Sequence, residues 1–241
     1  MTTIRYFLIL LLITSEIRSQ HYPHITLWTR VQYVKNLDKN WVSASTVLWR
    51  RQNGFQDYNV LSRPLLTGFQ TQFSRLNKSG DMLFHVAQIT LMYSDQLLGK
   101  ETDYAVPQNR EWRWASGVEF IQNPNKRLNL RERFLQEIRF FKSNNDKPIG
   151  RVRGRIIGTY RLNTYVSALG LSELVIHDPP QTTGFTPLFR YNQFWIGGGL
   201  VWKLNKHLNL ETSYTFINTR RNSKIEFDDQ NVFNFFLTIR Q

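Results

Sequence analysis

The sequence predicts an all-β protein, an antiparallel up-and-down transmembrane β-barrel of 10–12 strands preceded by a cleaved signal peptide. Three observations predict it. Stretches of about 10–14 residues recur in which apolar and polar side chains alternate, and successive strand residues face opposite sides of a sheet. Tight turns and longer polar loops alternate between these stretches. Their polar faces concentrate charge, and aromatics gather toward their ends (Trp41, Trp49, Trp112, Trp114, Trp202, Phe233). Soluble strands run to about five or six residues, whereas a tilted membrane strand needs about 9–11. A soluble sandwich or exported ligand-binding barrel also alternates, but gives no reason for charge and aromatics placed this way.

Composition sets the bounds. The chain has 241 residues, a formal net charge of +13, 41% apolar and 14% aromatic residues, too rich for a disordered chain. Without cysteine there is no disulfide framework, thiolate nucleophile or Cys-based zinc site. No apolar run reaches the roughly 18 residues of a spanning helix. Residues 1–19 read as a signal peptide: a charged start, the apolar run Tyr6–Ile13 and a polar exit with cleavage after Ser19. Residues 20–241 read as one barrel domain, because no linker or composition shift divides them.

The expected strands are 25–35, 41–51, 60–76, 82–94, 109–121, 129–141, 150–162, 164–176, 190–204, 208–219 and 231–240. Reversals fall at Leu37–Asn40, Asn77–Gly80, Asn123–Lys126 and Asn205–His207, where Asn, Asp, Gly and Pro supply turn chemistry. The longer connections are Gln52–Asn59, Ser94–Gln108, Lys142–Pro148, His177–Leu188 and Arg220–Gln230. In 109–121 the apolar face is Trp112, Trp114, Val118, Phe120. In 129–141 the even positions include Leu130, Phe134, Ile138 and Phe140, against Arg131, Arg133, Glu137 and Arg139. Segment 150–162 sets Val152, Ile156 and Tyr160 against Arg151, Arg153, Arg155 and Arg161. Segments 208–219 and 231–240 repeat the pattern, the latter with Phe233, Phe235, Leu237 and Ile239 on one face. Eleven segments do not fit the even count usual in bacterial single-chain barrels, so the first segment, or one of the others, is expected to be misplaced.

These strands resemble a known family. Leu130–Phe140 (LRERFLQEIRF) is similar to the R-x-R…E-x-R strand of the bacterial family called domain of unknown function twenty-four ninety. Glu111–Trp114 resembles its preceding strand, Arg151–Arg155 its following arginine strand, and Asn192–Tyr214 its closing hairpin. Ser172-Glu173 stands where the family has an Asn-Glu pair, and Gln193-Phe194 where a basic residue is usual. The resemblance covers about 25–240. It implies an outer-membrane barrel of diderm bacteria, and brings no activity or catalytic residues.

The expected lumen-lining set is Arg113, Arg131, Arg133, Arg139, Arg151, Arg153 and Arg155 with Glu111, Glu119 and Glu137. It reads either as Arg–Glu packing that fills a small barrel or as a positive pore favouring anions. Lys142, Lys147, Arg220, Arg221 and Lys224 in two loops could neutralise glycolipid phosphates or be ordinary solvated charges. An outer-membrane lipid-modifying enzyme is the alternative, with His85 its residue. However, strand parity puts His85 with Leu83, Ala87, Ile89 and Leu91 toward lipid, and His21, His24, His177 and His207 are scattered. Glu226 with Asp228-Asp229 could hold Ca²⁺ but lacks recognised ligand spacing. Gly197-Gly198-Gly199 has no helix behind it, and reads as tight curvature or a bulge, not a phosphate loop. No cofactor or metal is expected. A nucleic-acid partner is disfavoured because the charges lie along strand interiors and the leader exports the chain.

Overall fold

A computed structural model of the chain describes residues 19–142, 148–177, 190–221 and 226–241. Residues 1–18, where a leader is expected, together with Lys147 and Lys224, lie outside the described residues. Eleven strands close into one barrel: β1 (Gln20–Asn36), β2 (Trp41–Gln52), β3 (Arg63–Leu76), β4 (Met82–Ser94), β5 (Asn109–Gln122), β6 (Leu128–Phe141), β7 (Ile149–Arg161), β8 (Val166–His177), β9 (Arg190–Lys203), β10 (Leu208–Arg220) and β11 (Glu226–Arg240).

The odd count closes because the seam is parallel. Every sequential pair is antiparallel, but β1 runs alongside β11 in the same direction, in register from Gln20↔Glu226 to Val34↔Arg240. The first segment is therefore genuine, and it descends from the long-loop rim. Both seam strands begin about five residues earlier than their alternation suggests. Gln20–His24 is mostly polar and pairs only with Glu226–Gln230 among the described residues, whereas residues 227–230 also pair with residues 217–220 of β10.

Each tight turn is closed by one Asn or Asp side chain accepting backbone N–H groups two or three residues ahead. Asp38 accepts from Asn40 and Trp41 at 2.7 and 2.8 Å. Asn125 accepts from Arg127 and Leu128 at 2.9 Å, and Asn163 from Tyr165 and Val166 at 2.8 Å. Asn77 and Asn205 serve the other two turns. Gly80, at φ +80°, takes the left-handed position beside Asn77.

The outward face is mainly apolar, with Val47, Phe69, Leu91, Phe134, Ile156, Leu174, Ile196 and Phe235 all exposed. The buried side chains facing inward are mostly polar or charged. This inverts the soluble arrangement and is the pattern of a transmembrane barrel. Exposed aromatics stand near both rims: Trp49, Tyr93 and Trp112 toward the long loops, and Tyr33, Tyr160 and Trp202 toward the tight turns. Phe233 sits mid-strand instead of in either belt. Gly197 and Gly199 are not a bulge, since the β9–β10 register is unbroken through them. A Cβ on Gly197 would come 2.5 Å from the Tyr214 carbonyl oxygen, and one on Gly199 would meet that of Thr212. Glycine here permits close strand approach.

Candidate functional site: an arginine-rich lumen

The barrel encloses a cavity of about 660 Å³. Among the described residues, eight arginines (Arg30, Arg50, Arg113, Arg131, Arg133, Arg153, Arg155, Arg240) and three glutamates (Glu137, Glu173, Glu211) line it.

One wall is built from β5 to β8, where register sets carboxylates opposite guanidiniums. Glu119 faces Arg133, Glu137 faces Arg151, and Glu173 faces Arg155. Four glutamates, each about 1% exposed, hold two arginines apiece. Glu111 accepts from Arg139 at 2.5 and 2.8 Å and from Arg113. Glu119 accepts from Arg133 at 2.5 Å and pairs with Arg131. Glu137 takes Arg151 and Arg153, each at 2.7 Å. Glu173 takes Arg153 at 2.7 Å and Arg155. Arg153 thus bridges two acids, and the wall is a continuous charge-assisted network. The ten residues singled out above all belong to this network. Arg113, Arg131, Arg133, Arg153, Arg155 and Glu137 border the cavity itself, whereas Glu111, Glu119, Arg139 and Arg151 pack at its edge.

The opposite wall is different. Arg50 lies 3.5 Å over the Trp28 ring, and Arg30 lies 4.1 Å over Phe236. Neither guanidinium has a hydrogen bond or an acid partner among the described residues. The charges acting most strongly on Arg50 are Arg113 and Arg153, from strands across the lumen, then Arg30. Glu173, Arg30, Arg50, Arg240 and the aromatic pair Trp28–Trp195 escaped the parity reading. Arg50-Arg51 puts one arginine on each face, and Trp28 and Val34 interrupt an otherwise polar interior row, so neither segment alternates cleanly.

His85 is the main correction. The β3–β4 and β4–β5 registers shift around Val86-Ala87, and this bulge reverses parity. Below the bulge odd residues face inward, and above it even ones do. His85 is therefore buried in the lumen, away from lipid. Its Nδ1 lies 2.9 Å from Ser74 Oγ and 2.7 Å from Gln72 Nε2, while Nε2 is 3.7 Å from Glu119. Glu119 is already held by Arg131 and Arg133, so its carboxylate is balanced without the imidazole.

The Glu226, Asp228 and Asp229 carboxylates do not converge on a cation position. They lie in β11 and hold the connection between β4 and β5 over the long-loop rim. Asp228 accepts from Arg221 at 2.6 Å and lies 2.8 Å from the fully buried His24. Arg221 also reaches Asp103 at 3.1 Å, and Lys100 reaches Glu226 at 3.1 Å. Asp229 meets His21 at 2.7 Å. Arg221 is thus committed within the protein, not offered to lipid phosphate. Gln52, also fully buried, donates to Gln96 O at 2.8 Å and accepts from Leu98 N–H at 3.3 Å, while Leu97 packs on Leu65, Leu66 and Met92. The segment from Gln96 to Asp103 forms a strap that starts at β4 and is tied down beside β1 and β11.

No curated protein matches the sequence. Among solved structures, the outer membrane channel DcaP of Acinetobacter baumannii is similar, with 10% identity and a TM-score of 0.38. The alignment covers 84% of this chain and 59% of that one, so this chain spans less than two thirds of the channel's length. The profile described as "Protein of unknown function (DUF2490)" matches residues 25–228, from the first descending strand into the last. By that match the chain belongs to the DUF2490 family.

Proposed function

We propose that this chain is an outer-membrane barrel that passes small solutes through a narrow lumen favouring anions. The observation that carries the reading is the charge of the cavity lining, eight arginines against three glutamates. Glu137 and Glu173 are each shared between two arginines, so fixed positive charge remains along the path. In a low-dielectric wall such charge lowers the energy of an anion and raises that of a cation. The strand count supports a lumen of solute size: eight strands are filled by side chains, and sixteen to eighteen leave a wide aqueous pore. The apolar outer face and the predicted leader support placement in the outer membrane.

Purified protein in planar bilayers under a salt gradient tests this. Discrete conductance with a reversal potential displaced toward that of the anion is expected. A cation-directed reversal, or no conductance at any voltage, overturns the reading.

A further inference from the structure

We infer that the Arg50–Trp28 wall of the lumen is a saturable binding site for a small organic carboxylate with a flat, unsaturated body. The inference rests on the anion-favouring reading above and names the solute class.

The first argument is a surplus of donors. Arg50 carries five N–H groups and Arg30 another five, and neither side chain has an acceptor among the described residues. Arg30 Nε and Trp28 Nε1 are buried without a partner. A buried donor without an acceptor is costly, more so when charged, and an oxyanion supplies acceptors and charge together.

The second argument is geometry. Stacking on Trp28 at 3.5 Å holds the Arg50 guanidinium flat and leaves its N–H edge free for two-point contact with a carboxylate. Like charges from Arg113, Arg153 and Arg30 act on it more strongly than the single carboxylate of Glu173, so the site is most stable with an anion among them.

The third argument is the floor. Trp28 and Trp195 meet edge to face at 5.4 Å, and Phe236 lies under Arg30. Trp28 itself is buried beneath Arg50, so the partly exposed rings of Trp195 and Phe236 give the apolar surface beside the charged fork, which rewards a ring on the ligand over a bare ion. A cavity near 660 Å³ is of the size that holds a small organic molecule.

Isothermal titration of the detergent-solubilised full-length protein with benzoate, acetate, inorganic phosphate and benzylammonium tests this without requiring conduction. Saturable benzoate binding is expected, at least tenfold tighter than acetate or phosphate, with no heat from benzylammonium. Arg50→Gln should weaken benzoate at least tenfold, and Arg50→Lys less, because it keeps charge but loses the fork. Should Arg50→Gln not refold, Arg30→Gln should still weaken binding several-fold. Phosphate binding as tightly as benzoate, undiminished binding in the variants, or no saturation overturns the inference. Such a failure beside intact anion-directed conductance would leave the channel reading standing, and binding without conductance would separate them the other way.

Discussion

The two walls of the lumen hold arginine in opposite ways. Along β5–β8 every carboxylate of the network is nearly inaccessible and shared by two guanidiniums. Across the lumen Arg50 and Arg30 lie on aromatic rings with no ion pair among the described residues, Glu173 and Glu211 acting on them only through space. Partners from adjacent strands fix the first set in place and tie four strands together. The second set is held only by weak ring contacts, so its charge stays available. The same residue type is structural on one side and exposes its charge on the other, and the position of glutamate decides which.

Substitutions can break this comparison. The largest effect is expected from Glu137→Ala, which leaves Arg151 and Arg153 buried beside each other without their shared acid. Loss of one partner of a buried pair costs about 3–5 kcal/mol, so the denaturant midpoint of the refolded barrel should fall sharply. Arg50→Gln is the counterpart: stability should stay within about 1 kcal/mol of the parent, while the reversal potential moves toward zero. An equal stability loss in both variants would erase the distinction between the walls. Gly117→Leu should cost about 1–3 kcal/mol by overpacking. Any Cβ there collides with the Phe134 carbonyl oxygen, and the β5–β6 register that aligns Glu119 with Arg133 is forced apart. Heat-modifiable mobility in gels would report it.

Smaller effects lie at the rims. Arg221→Ala removes the link between Asp103 and Asp228 that holds the strap. The expected result is higher single-channel conductance and protease cleavage between Gln96 and Asp103, with the barrel intact. At the opposite rim, backbone N–H groups hold the Asp38 carboxyl below its ordinary value, and the Ser79 and Asn77 side chains do the same for Asp81. A depressed carboxyl stabilises the fold fully above its unfolded value of about 3.9 and loses that contribution as pH falls through the folded value. Acidification should therefore loosen these turns only below about pH 4, by amounts visible in amide exchange and not in the melting of the barrel.

Period-two alternation made the barrel and most of its strands legible, because lipid on one side and charge on the other impose a strong contrast on every second residue. It failed where that contrast was absent or its phase slipped. Glu226–Gln230 reads as loop because, Phe227 apart, it is polar on both faces, and one of its two neighbours, Gln20–His24, is remote in sequence. His85 was assigned outward because a single bulge inside β4 inverts everything beyond it, and no Gly or Pro marks the spot. The paired wall was legible from Arg-x-Arg spacing. The unpaired one was not, since Arg50 and Arg30 acquire their meaning from rings on neighbouring strands.

The parallel seam settles the rim at which β1 begins and the rim at which β11 ends. An even-stranded hairpin barrel brings both ends to one rim, but here Gln20 opens at the long-loop side and Gln241 closes at the tight-turn side. In a sealed bilayer, an epitope fused ahead of Gln20 and another after Gln241 would be reached by antibodies from opposite compartments.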